Sequence, residues 1–194
     1  MHSPLYVLLV GLSLGSAASL HALDFQVHAL EVEADGIKHT QSFLRNDEAS
    51  RVLLDLPAGW DHAAEPGALT LTSRTETDTM VRLEKSPFAP DTPFKDKALD
   101  AYRKRVLAAV PQGATETQVS GEHEEPLPIF SWKSHEFVVD YVFFGRAFRR
   151  SMVFLNLNAR EQILVTTVAP QAGYDRAHGA AFDVLRSWQV VAGH

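Results

Sequence analysis

Apolar and polar residues alternate with a period of two along much of this chain, and the period lengthens to that of a helix in two stretches. The strongest strand signal is a pair of runs, Phe137-Val-Val-Asp-Tyr-Val-Phe-Phe144 and Phe148-Arg-Arg-Ser-Met-Val-Phe-Leu155, joined at Gly145-Arg146. A two-residue loop with glycine first suits a type II′ turn, whose twist matches that of antiparallel strands. Pairing 144 with 147 sets Phe143 opposite Phe148, Val139 opposite Met152 and Phe137 opposite Phe154 on one apolar face. The other face then carries Val142 opposite Arg149 and Asp140 opposite Ser151. That pattern predicts an antiparallel sheet with one greasy and one mixed face.

The same reading extends to the rest of the chain. Leu23 to Ala34 and Ile37 to Leu44 flank Asp35-Gly36, a strong hairpin signal that pairs 34 with 37 and Glu33 with Lys38. Arg51 to Leu56 reads as a strand, ended by Pro57-Ala-Gly59 before Trp60, a packing anchor at a sheet edge. Leu69–Thr72 and Met80–Leu83 are short strands across the polar loop 73–79. Thr92-Pro93 supplies an N-cap and first turn for a helix whose apolar face is Leu99, Tyr102, Val106 and Ala109, stopped by Pro111. Gln112 to Pro128 reads as an irregular connection with at most a short edge strand. Ile163 to Ala169 is a third strand, reached through the turn at Asn158-Ala-Arg-Glu161. Beyond the breaker Pro170-Gln-Ala-Gly173, a closing helix shows Tyr174, Ala177, Ala181, Val184, Leu185 and Trp188 on one broad face. No repeat or linker interrupts this order, so residues 23–194 are expected to form one α+β domain, an antiparallel sheet with helices packed on it.

The first residues follow a different pattern. Leu5 to Leu14 is an apolar run too short to span a bilayer, followed by the small residues Gly15-Ser-Ala-Ala-Ser19. Residues 1–22 are therefore expected to be a secretory signal peptide, cut after Ala18 or Ala22, although Met1-His-Ser-Pro4 brings no Lys or Arg. A periplasmic destination follows, with no integral membrane segment after cleavage. The 194 residues contain no cysteine, which excludes disulfides, a lipidated anchor and thiolate chemistry. A net charge of −6 gives no basic surface for nucleic acid.

Candidate chemistry is sparse. The nine histidines include no His-x-His or His-x-x-x-His pair, so no metal or other cofactor is expected. The densest acid–imidazole patch is Glu122-His-Glu-Glu125, with His135-Glu136 further on, and it reads as a solvated loop. A hydrolase reading would use His178 beside Asp175 and Tyr174, without a positioned nucleophile, since Gly-x-Ser-x-Gly is missing. Phosphate-binding glycine loops are missing too. A ligand-pocket reading would place Tyr102, Tyr141 and Trp188 between sheet and helix. The most suggestive surface is the hairpin tip, where Arg146, Arg149 and Arg150 lie beside Phe144 and Phe148, an interface-like composition.

The order of elements, the Leu-Pro-x-x-Trp turn at 56–60, the tight hairpin of Phe137–Leu155 and the terminal Ser187-Trp188 together resemble the PsbP-like superfamily. That family includes the photosystem extrinsic subunit and the DcrB lipoproteins. The resemblance implies an α/β/α sandwich and a non-enzymatic role in binding a protein partner, with no catalytic set to carry over. The expectation is an exported accessory, chaperone or immunity-type protein, partner-binding through Arg146, Arg149, Arg150 and Phe144. A small-ligand or metal-binding module and a hydrolase are the alternatives.

Overall fold

The computed structural model describes residues 24–34, 37–46, 50–65, 67–89, 92–127, 131–158 and 161–192, with side chains from 52 to 190 within those ranges. The expected signal peptide, the Asp35-Gly36 turn and the centre of the 158–161 turn lie outside them. Strands β1 (Asp24–Ala34), β2 (Ile37–Asn46) and β3 (Ser50–Asp55) are followed by β4 (Trp60–Glu65), β5 (Ala68–Ser73) and β6 (Met80–Lys85). Helix α1 (Asp96–Ala108) leads into β7 (Thr115–Glu124), β8 (Lys133–Phe143), β9 (Arg146–Asn158) and β10 (Glu161–Pro170). Helix α2 (Tyr174–Arg186) and β11 (Gln189–Ala192) complete the chain.

Two antiparallel sheets result. The larger has seven strands in the order β4-β5-β6-β10-β9-β8-β7, and the smaller has four in the order β1-β2-β3-β11. The β1–β2 pairing carries Ala34 opposite Ile37 and Glu33 opposite Lys38, as the sequence predicts. Three strands differ from expectation. β4 and β7 are exposed sheet edges, so burial imposes little apolar alternation on them, and β7 fills most of the stretch read as irregular. β11 pairs with β3 across the chain, with Val190 opposite Val52, a long-range partnership that local pattern does not announce.

The central strands are buried on both faces, as an α/β/α sandwich requires, although the mixed second face of the hairpin taken alone suggests a half-buried sheet. On one side α1 lays Tyr102 and Val106 over Phe137, Val139, Tyr141, Met152, Phe154 and Leu164. On the other, α2 lays Ala181, Val184 and Leu185 over Leu69, Leu83, Val153, Leu155 and Val165, with Val52 and Leu54 of β3 in the same cluster. The closing helix thus covers the face read as mixed, and α1 covers the greasy one. Strands covered on both sides must be nearly continuously apolar, and β10 is buried at every position from Gln162 to Ala169. The chain is α+β, with helices on both faces of its main sheet.

Register is where the central hairpin departs from its sequence reading. Phe143 pairs with Arg146, Tyr141 with Phe148, Asp140 with Arg149 and Phe137 with Met152. The loop is Phe144-Gly145, one residue earlier than expected, and both residues have positive φ, 47° and 73°. Two successive left-handed residues make a type I′ rather than a type II′ turn. Moving the turn by one residue moves every partner by two, so each side chain keeps its face and only its neighbour changes.

Candidate functional site

Phe144 stands at the end of this hairpin with 89% of its surface exposed. The first position of a type I′ turn favours asparagine or glycine, because a Cβ in the left-handed region crowds the following carbonyl by about 1–2 kcal/mol. A phenylalanine there is unfavourable twice, by conformation and by exposure. Its ring contacts the half-buried Phe143 at 4.3 Å between centroids, an apolar pair projecting past the sheet. Arg146 flanks the pair. Its Nη1 donates to Asp78 Oδ2 at 2.6 Å, and its guanidinium lies 5.4 Å from the Phe148 ring. Asp78 is itself left-handed at φ 62°, in the β5–β6 connection, so that loop buttresses the tip.

The structure does not bring the three arginines together. Residues 149 and 150 are consecutive on a strand and point to opposite faces. Arg149 lies on the α2 side, donating from Nε and Nη2 to the two oxygens of Asp140 at 2.7 and 3.0 Å, with its guanidinium 5.4 Å from the Tyr174 ring. The Arg149 bonds hold the Asp140 carboxyl below its usual range against an opposing burial effect. Arg150 lies on the α1 side and donates from Nη1 to the carbonyl of Ala109, the C-cap of α1. Both arginines secure helices to the sheet, and Arg146 with Phe144 forms the projecting tip.

The other sequence candidates fall into two places. His178 takes its carboxylate partner from the sheet: Nε2 is 2.6 Å from Oε1 of Glu136, a side chain 4% exposed. Asp175 is exposed in the first turn of α2 and makes no such contact. His178 stacks on Tyr174 at 5.2 Å and meets the tilted Phe182 ring at 4.2 Å. Burial pushes the Tyr174 hydroxyl strongly upward against the smaller, opposing effect of Ser151, so it stays protonated. Ser151 is fully buried and unavailable to a substrate. The pocket reading fails on topology, because Tyr102 of α1 and Tyr141 pack in one cluster and Trp188 in the other, with the sheet between.

The acid–imidazole patch is a strand pairing rather than a solvated loop. Glu122 on β7 accepts from Arg103 Nε and Nη2 at 3.0 and 2.9 Å, and His135 Nε2 lies 3.1 Å from its Oε1. Burial raises the Glu122 carboxyl, but the bonds from Arg103 and His135 outweigh it and the net shift is downward. No group of three His, Asp or Glu side chains among the described residues converges as a metal site would require. Sequence reasoning missed these pairs because they depend on cross-strand register, and no local spacing encodes that.

No family model and no curated protein matches the sequence. Solved structures do. The chain is similar to cyanobacterial PsbP from Synechocystis sp. PCC 6803 at 15% identity and a TM-score of 0.49, covering 92% of this chain and 99% of that one. It is also similar to LpqN, involved in cell envelope biogenesis of Mycobacterium tuberculosis, at 13% identity and 0.48, covering 80% and 92%. The T6SS immunity protein TplEi of Pseudomonas aeruginosa matches at 9% identity and 0.41, covering 78% and 72%. These likenesses speak to neither activity nor partner.

Proposed function

We propose that this is an exported, soluble, non-enzymatic protein that binds a protein partner through the β8–β9 tip, in an accessory, chaperone or immunity-type role. The observation that carries the reading is Phe144, 89% exposed at φ 47° on an otherwise well-packed hairpin. A residue that is costly in conformation and unburied in the free protein is the kind of local conflict that function sustains. Inserted into a partner's apolar cleft, the ring would be buried, and burying a whole phenylalanine side chain is worth about 1.5–3 kcal/mol. Arg146 would supply the polar rim, since its pair with Asp78 is half exposed and easily exchanged for a partner carboxylate.

Export rests on the apolar run Leu5–Leu14 and the small residues after it. Among the described residues no helix is long and apolar enough to cross a membrane. Affinity capture from a periplasmic extract, run in parallel with the wild type and Phe144→Asn, tests the reading. A partner retained by the wild type and lost by the variant supports it. Equal capture by both removes the tip.

A further inference from the structure

We propose that the cavity between Phe94 and the paired ends of β7 and β8 binds a free α-amino acid as its zwitterion. It is an open cleft of about 500 Å³, a volume in the range of small-molecule sites, and lies away from the hairpin tip. His135 forms part of its wall, 1% exposed, with Phe94 stacked on the ring at 5.6 Å and 28° between planes. The Nε2 of that ring faces Glu122, whose carboxylate already accepts two Arg103 bonds. A carboxylate can only accept, so in the neutral form of the ring the hydrogen sits on Nε2 and a lone pair is left on Nδ1. Nδ1 is buried and has no hydrogen-bond partner. Such an atom calls for a donor, and an ammonium group supplies one.

The opposite need is met by Asn156. Its Oδ1 accepts from Gln162 Nε2 at 2.7 Å, which leaves the amide nitrogen of Asn156 as its donor. Gln162 is fixed in turn by donating to Tyr102 Oη at 3.0 Å. Around the mouth stand Lys95 and Lys133 with Glu124 and Glu125. None of these four is held in an ion pair among the described residues, so both signs of charge remain for a ligand. An imidazole acceptor with two carboxylates, an amide donor with two ammonium groups and an aromatic wall complement an ammonium, a carboxylate and a side chain.

The test is NMR titration of the ¹⁵N-labelled full chain with free L-amino acids, added singly. Saturable shifts of the His135 ring nitrogens and the Asn156 side-chain amide are expected for at least one of them. Lys133→Ala and Glu124→Gln are surface changes whose folding the same spectra report, and each should weaken that binding about tenfold. The matching amine without a carboxylate, and the acid without an amine, should each bind more weakly. Absence of saturable shifts at these nuclei for every amino acid overturns the proposal. So does undiminished binding in both variants, or binding of the lone amine or acid as tight as that of the amino acid.

Discussion

Phe137 and Phe144 belong to the same hairpin and meet opposite fates. Phe137, near the base, is fully buried, packed edge-on to Phe154 at 6.2 Å and stacked with Tyr102 at 6.5 Å beneath α1. Phe144, at the tip, is 89% exposed and held in a left-handed conformation. The base obeys every local rule, with alternating faces, paired backbone and a helix over each side. The tip breaks two of them at once. One sequence of strands thus shows what stability selects and, a few residues on, what stability does not explain. The difference assigns the base to the fold and is the ground for proposing that the tip meets a partner.

Perturbing the base should have the largest effect. Phe137→Ala removes a fully buried ring and should cost about 4 kcal/mol in urea denaturation, while capture by the surviving folded fraction stays intact. A loss under about 1 kcal/mol would mean the base is no more demanding than the tip. Next is the pair that ties α2 to the sheet. His178→Ala strands the buried Glu136 carboxylate and should cost about 3 kcal/mol at neutral pH.

Asp140→Asn breaks the two-pronged contact with Arg149 and should cost about 2 kcal/mol. Its pH dependence has a defined sign. The folded Asp140 carboxyl titrates below its ordinary value, so its stabilisation is full above the unfolded value, near 3.9, and disappears as pH falls through the folded one. The acid limb of the stability curve should therefore be shallower in Asp140→Asn than in the wild type, and identical limbs would contradict the assignment. At the tip the sign reverses: Phe144→Asn should stabilise the protein by about 1 kcal/mol, because asparagine tolerates the left-handed position. Arg146→Ser comes last, within about 0.5 kcal/mol, since its pair with Asp78 is half exposed.

The faces of the hairpin were legible in the sequence because side chains alternate, and alternation survives a displaced turn. The turn itself was misplaced: Gly145 suggests the first loop position, whereas the structure uses it second, after a phenylalanine that turn chemistry would not choose. The opposed directions of Arg149 and Arg150 were implicit in their adjacency, and it was the tip's composition that grouped them. The edges β4 and β7 and the small closing strand β11 were obscure for physical reasons: exposed edges need no apolar period, and β11 depends on a partner far back in the chain. The Glu122–His135 and Glu136–His178 contacts were hidden for the same cause, arising from register and from the docking of a helix.

The most direct measurement is a paired one on Phe144→Asn, taking the unfolding free energy and the affinity for the captured partner from the same preparation. The account predicts that stability rises while affinity falls by at least about tenfold, as expected when a costly residue is kept for binding. A variant that gains stability and binds as tightly as the wild type would contradict it.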